Sequence, residues 1–236
     1  MPGTSDRETV RKLLATHGRT YAGQAGIHLR NTPQPLYQLL VLAGLLSARI
    51  RSDIAVASSR ALSEAGFRDA RRMADATWQE RVGALGRGGY RRYDERTATQ
   101  LGEGAELLLD KYHGDLRRLR DAADGDTGTL RSLLREVPGL GPVGVDIFLR
   151  EVQGIWPEVA PYLDKKALQG ARERGLPDEP KALARLADHT DPAVFAAAMV
   201  RAALERTAPK GGTDGGTKDA AKDAAKGSRA GTKAGG

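Results

Sequence analysis

Three features of the sequence predict an all-α chain. Apolar residues recur at helical spacing, and Asp or Pro stands repeatedly where such a run begins. No stretch alternates apolar and polar residues over a strand's length between turn signals. Taken in order, Ser5 or Asp6 is placed to cap a first helix ending near His17, and Arg19 to Thr32 reads as irregular. From Pro35 the run PLYQLLVLAGLLSARI is apolar nearly all round, which marks a central, buried helix. Asp53 is expected to cap the next helix, IAVASSRALSEAG, and Gly66 to end it. Two shorter pieces follow, near Asp69 to Ala76 and Thr77 to Leu85, with Trp78 read as a core anchor. The loop GRGGYRRYD leads to a long helix that Asp94 caps and that runs to Tyr112; Asp115 caps a short one after it. Asp164 opens the helix KKALQGARER, stopped by Gly175 and Pro177, and Asp191-Pro192 opens a final Ala-rich helix to about Arg206.

The composition limits what such a chain does. Its 236 residues suit one large domain or two small ones, and with only 5% aromatics the core must be mostly Leu, Ala and Val. The net charge of +7 and pI near 9.8 point to a polyanionic partner. Three of those seven charges lie in the segment from Ala208, which holds six basic and three acidic residues. With no cysteine, the chain has no disulfide, thiolate zinc site or cysteine-held iron–sulfur cluster. His17, His28, His113 and His189 show no ligand spacing, so no metal or other cofactor is expected. MPGTSDRETVRK has no apolar stretch of a secretory signal, and the longest apolar run, Leu39 to Leu46, is too short for a bilayer. A soluble cytoplasmic monomer is expected, nucleoid-associated if the source is bacterial.

The stretch with most chemical promise is VPGLGPVGVDIFLREV, Val137 to Val152. Before it, Leu130, Leu133, Leu134 and Val137 recur at i, i+3, i+4 and i+7; after it, Val145, Phe148, Leu149 and Val152 do the same. Pro138 ends the first helix, Gly139 and Gly141 allow a sharp reversal, and Pro142 suits the first position of the second helix. The amides near Gly141, Val143 and Gly144 are then unpaired and aimed outward, a site the size of a phosphate. An ordinary tight helix–helix turn is the competing reading.

With Asp164 downstream, the order of these parts resembles the helix-hairpin-helix DNA glycosylases of base-excision repair, endonuclease III above all. The resemblance rests on LLSAR, LLLDKYHG, VPGLG, Gly154, Trp156-Pro157 and an aspartate opening a helix, from roughly Pro35 to Gly175. It implies a two-lobed helical fold and a partner that is double-stranded DNA carrying a base lesion. Asp164 matches the family's catalytic aspartate, which stabilises positive charge on the sugar; on spacing alone it is also a plain helix N-cap. With Lys165 and Lys166 beside it, Asp164 suits electrostatic stabilisation better than proton abstraction, although both lysines also fit as phosphate contacts. Where endonuclease III carries its Schiff-base lysine this chain has Val143, so a glycosylase acting through water is expected, with little lyase activity. The iron–sulfur cluster of endonuclease III has no ligands here, and packing of the terminal helices must replace it.

By position, the family's DNA-inserting loops fall at Ser47 to Arg51 and Gly86 to Tyr93. Arg49 and Arg51 are placed to fill space or meet phosphates, Tyr90 or Tyr93 to wedge between bases, and Arg91 and Arg92 to meet DNA; a solvated basic loop is the alternative. Residues 1–34 are expected to pack with the C-terminal helices, 35–160 to form the helical core, 161–207 to complete the second lobe, and 208–236 to be a disordered basic tail. Two other functions remain open, a non-catalytic DNA-binding protein that keeps the hairpin and an all-α protein–protein module.

Overall fold

The computed structural model describes residues 4–207, and every regular element among them is helical. The order is α1 (Thr4–His17), α2 (Tyr21–Gln24), α3 (Pro33–Ser47), α4 (Ser52–Glu64), α5 (Ala70–Asp75), α6 (Trp78–Arg87) and α7 (Asp94–Tyr112). It continues with α8 (Leu116–Ala122), α9 (Thr127–Arg135), α10 (Pro142–Val152), a 3-10 turn at Pro157–Val159, α11 (Lys165–Glu173), α12 (Pro180–Ala184) and α13 (Pro192–Thr207). The Gly/Ala/Lys tail from 208 lies outside the described residues. No described helix is long and apolar enough to cross a membrane.

Two hydrophobic cores form. The larger gathers side chains from α2 to α10 and the 3-10 turn around α3, whose Leu36, Leu39, Leu42 and Leu45 are fully buried. That position is what an all-round apolar helix requires. The second joins Val10 and Leu13 of α1 to Ala167 and Ala171 of α11, Leu183 of α12, and Phe195 and Met199 of α13. Helix α11 lies so close to α13 that a Cβ on Gly170 would stand 1.9 Å from the Met199 carbonyl oxygen, so only glycine fits.

Helix α10 belongs to both lobes, packing on α3 and on α13. Its buried Glu151 carboxylate accepts hydrogen bonds from the Tyr21 and Ala22 amides (3.1 and 2.9 Å), at the start of α2. Burial pushes the Glu151 carboxyl above the usual range, and the two amides pull it partly back.

Several expected details change. Helix α1 already includes Thr4, so Ser5 and Asp6 lie within its first turn. Helix α4 begins one residue before Asp53, whose carboxylate takes the Arg51 guanidinium (3.0 and 2.7 Å) instead of capping. Asp94 likewise falls in the first turn of α7, behind Tyr93; an acid there still favours the helix dipole. Helix α3 starts two residues earlier than Pro35, and the irregular segment from Arg19 contains α2, capped by the Thr20 hydroxyl. Trp78 is no core anchor: it is 38% exposed, its indole N–H donating to the Glu95 carbonyl and Thr99 hydroxyl. The core tryptophan is Trp156, edge-on to Phe148 and donating to Asn31 (3.0 Å).

Candidate nucleic-acid interface

The hairpin between α9 and α10 folds as its glycines dictate. Gly139 has φ of +82°, a conformation that costs a residue with a side chain about 1–2 kcal/mol. Gly141 is the N-cap of α10, and Pro142 opens the helix with the fixed φ it needs. Among the described residues the amides of Gly141, Val143 and Gly144 make no hydrogen bond. They form a row of free donors at a helix N-terminus. Val143 at the tip is 58% exposed. Gly144 packs against Leu140 and the Ala43 carbonyl of α3, which seats the hairpin on the central helix.

One side of the hairpin opens into a cleft of about 700 Å³. Ser47, Arg49, Tyr90, Tyr93, Gly139 and Gly141 all line it, so residues from three separate stretches of chain meet there. Tyr90 is a buried wall rather than a protruding wedge, its hydroxyl accepting from Thr97 (3.1 Å). Tyr93 is the exposed one, with the Arg92 guanidinium 5.3 Å from its ring centre. Arg51 and Arg91 stand outside the lining, and Arg51 is engaged with Asp53. Tyr37 lines the inner wall, and burial pushes its phenol well above the usual tyrosine range.

Asp164 does not line this cleft. It is the N-cap of α11, its Oδ1 accepting from the Ala167 amide at 2.8 Å. Its Oδ2 pairs with the Arg150 guanidinium of α10, and the two side chains are only 7% and 4% exposed. The cation paired with Asp164 is thus Arg150, whereas the sequence points only to the adjacent Lys165 and Lys166. Those two follow the cap outward: Lys165 is exposed, and Lys166 donates to Gln169 (3.1 Å).

Further contacts fasten the segment before Asp164 to α10. Gln153 accepts from the Tyr162 amide (2.7 Å) and donates to the Tyr162 carbonyl (3.0 Å). The Tyr162 hydroxyl donates to Asp146 (2.6 Å), and Arg131 of α9 bonds both groups. Arg150 lies seven residues after Val143, two helical turns along the same face. One face of α10 thus runs from the exposed hairpin tip to the buried carboxylate of Asp164.

In sequence Arg150 and Glu151 fall between the apolar positions of DIFLREV and read as a solvated helix face, so only the structure shows that both are buried and paired. Arg96, Gln100 and Arg135, in the cleft lining, carry no signal in sequence either. Among the described residues no group of acids and histidines is placed to hold a metal ion.

No family model and no curated protein matches the chain. A solved structure described as "Structure of a Trapped Endonuclease III-DNA Covalent Intermediate: Estranged-Adenine Complex" is similar over 85% of both chains, at 16% identity and a TM-score of 0.45. Likeness at that level is one of loose helical arrangement and assigns neither family nor site.

Proposed function

We propose that this chain is a DNA glycosylase of the helix-hairpin-helix type, removing a damaged or mispaired base from duplex DNA by hydrolysis. The observation that carries the reading is the arrangement on α10, which begins at the free hairpin amides and holds Asp164 through Arg150 along the Val143 face. A DNA phosphate on those amides fixes the duplex without reading its sequence. The target nucleotide leaves the stack, and a side chain of the loop from Ser47 to Arg51 fills the gap. The bond from C1′ to the base nitrogen breaks, the base leaving with the electron pair. The negative charge of Asp164 stabilises the cationic sugar, and water adds its oxygen to C1′ while its protons pass to base and solvent. Val143 has no amine to attack C1′, so no Schiff base forms and the strand stays intact.

The test is base release from a panel of lesion duplexes by the native protein and by Asp164→Asn. Asparagine keeps the cap but not the charge, and because it leaves the buried Arg150 guanidinium without its partner, circular dichroism and urea denaturation check that the variant is folded under assay conditions. A drop of roughly 100- to 1,000-fold is expected, with no strand nicking before alkali. Equal release by both proteins would sink the catalytic role, and borohydride trapping of a covalent complex would overturn the hydrolytic one.

A second reading has its own support: both carboxylate oxygens of Asp164 already have partners. In a non-catalytic DNA-binding protein that closed pair is purely structural. Salt-sensitive duplex binding with no base released from any lesion selects this reading.

A further inference from the structure

We propose that the cleft beside the hairpin receives one unstacked nucleotide of DNA, at a site separate from Asp164. The inference rests on the DNA-binding half of the proposed function and not on its chemistry. Size sets the first limit. About 700 Å³ is within the range of small-ligand pockets and far too small for a duplex, so nucleic acid enters only as a single splayed-out residue. Its inner wall is apolar, with Leu40, Val41, Leu101 and Leu108 among the lining, which suits the faces of a base and not a bare phosphate.

Charge sets the second limit. Arg49, Arg96 and Arg135 come from the end of α3, the start of α7 and the end of α9, and all three are exposed in the lining. Among the described residues none of them has a hydrogen-bond or ion-pair partner. The acid in the lining, Glu136, is occupied by Lys111 at 2.7 Å. Three unpaired guanidinium groups around an apolar hollow call for a ligand with an apolar body and an anionic edge. Guanidinium matches phosphate geometry in two-point fashion, and a nucleotide supplies both parts.

Two neutral groups complete the match. Tyr93, more than a third exposed at the rim, offers a ring face for stacking. Gln100 lies against the hairpin, its side-chain oxygen 3.2 Å from where a Cβ on Gly139 would stand. Its amide has no partner among the described residues, so one donor and one acceptor are free to meet a base edge. These contacts are sequence-tolerant apart from Gln100, as expected of a pocket that takes whichever nucleotide the distorted duplex releases.

The experiment uses the full chain, a ten-residue oligothymidine, and a duplex carrying 2-aminopurine opposite an abasic-site analogue. Native protein should bind the single strand and raise 2-aminopurine fluorescence on binding the duplex. Arg96→Ala, Arg135→Ala and Tyr93→Ala should each weaken single-strand binding at least about fivefold and cut the fluorescence rise, while Arg7→Ala, exposed on α1 and outside the lining, changes neither. All three side chains are exposed, and circular dichroism checks that the variants fold. Unchanged single-strand affinity and fluorescence in all three overturns the cleft site even if base release proceeds. Loss of base release in Asp164→Asn with these signals intact leaves the cleft assignment standing. Native protein that raises no fluorescence while binding the duplex overturns it directly.

Discussion

The two sides of the hairpin are finished in opposite ways. On the cleft side, cations stand without partners around an open hollow; on the other, a single arginine and a single carboxylate are buried against each other. Unpaired exposed charge costs a fold little and keeps its attraction for a ligand. Buried paired charge adds little net stability, but it fixes position, because removing one partner leaves the other stranded. The first side is built to be completed by something from outside. The second is already complete, and what it presents outward is a location for Asp164.

Breaking the buried pair is the strongest test of that contrast. Arg150→Ala should lower unfolding free energy by about 3–5 kcal/mol, measured by urea denaturation. Adding Asp164→Asn to it should recover part of the loss, since the stranded charge is then gone. A loss below about 1 kcal/mol in the single variant would show that Asp164 reaches solvent and is not held.

The hairpin glycines give a smaller, two-sided test. Gly139→Ala forces a side chain into a positive φ and against Gln100, and should cost about 1–2 kcal/mol. Gly141→Ala meets open space at φ of −72° and should cost under about 0.5 kcal/mol. If the proposed function holds, the same added methyl meets the DNA phosphate, and duplex affinity should fall more in Gly141→Ala than its stability does. Equal thermal shifts in the two variants would contradict the backbone difference.

Glu151 offers the gentlest perturbation, a slope with pH rather than a drop. Its folded-state pKa lies above the ordinary 4.5, so as pH rises from there the unfolded chain gives up the proton first. The folded state holds more protons in that window, and the Glu151 contribution to stability falls as pH rises through the elevated value. The melting temperature of native protein minus that of Glu151→Gln should therefore decline from pH 4.5 upward. A rising difference would mean that the two α2 amides outweigh burial.

Much of this architecture was legible in the residues. The helical class, the hairpin and the caps at Asp115, Asp164 and Asp191 follow from periodicity and from acids placed before apolar runs. Asp53 and Asp94 failed as caps because one more residue on the N-terminal side joins each helix, which spacing alone does not reveal. Trp78 and Trp156 were indistinguishable by type; a buried partner for the indole N–H, Asn31, decides which is core. Arg150 escaped notice because its partner sits 14 residues on, across a connection without a period. Arg96 and Arg135 look in sequence like any solvated helix face, and only folding brings them to one rim.

The closeness of α11 to α13 also has a consequence for the order in which the molecule is assembled. The first core is complete once the chain has reached Val159, and it does not use α1. The second core cannot close until α13 exists to pack on α1, a loop that spans nearly the whole described chain. Helix α1, made before the other described helices, therefore waits for α13. A growing chain possesses its hairpin, its cleft and Arg150 before Asp164 has a helix to cap.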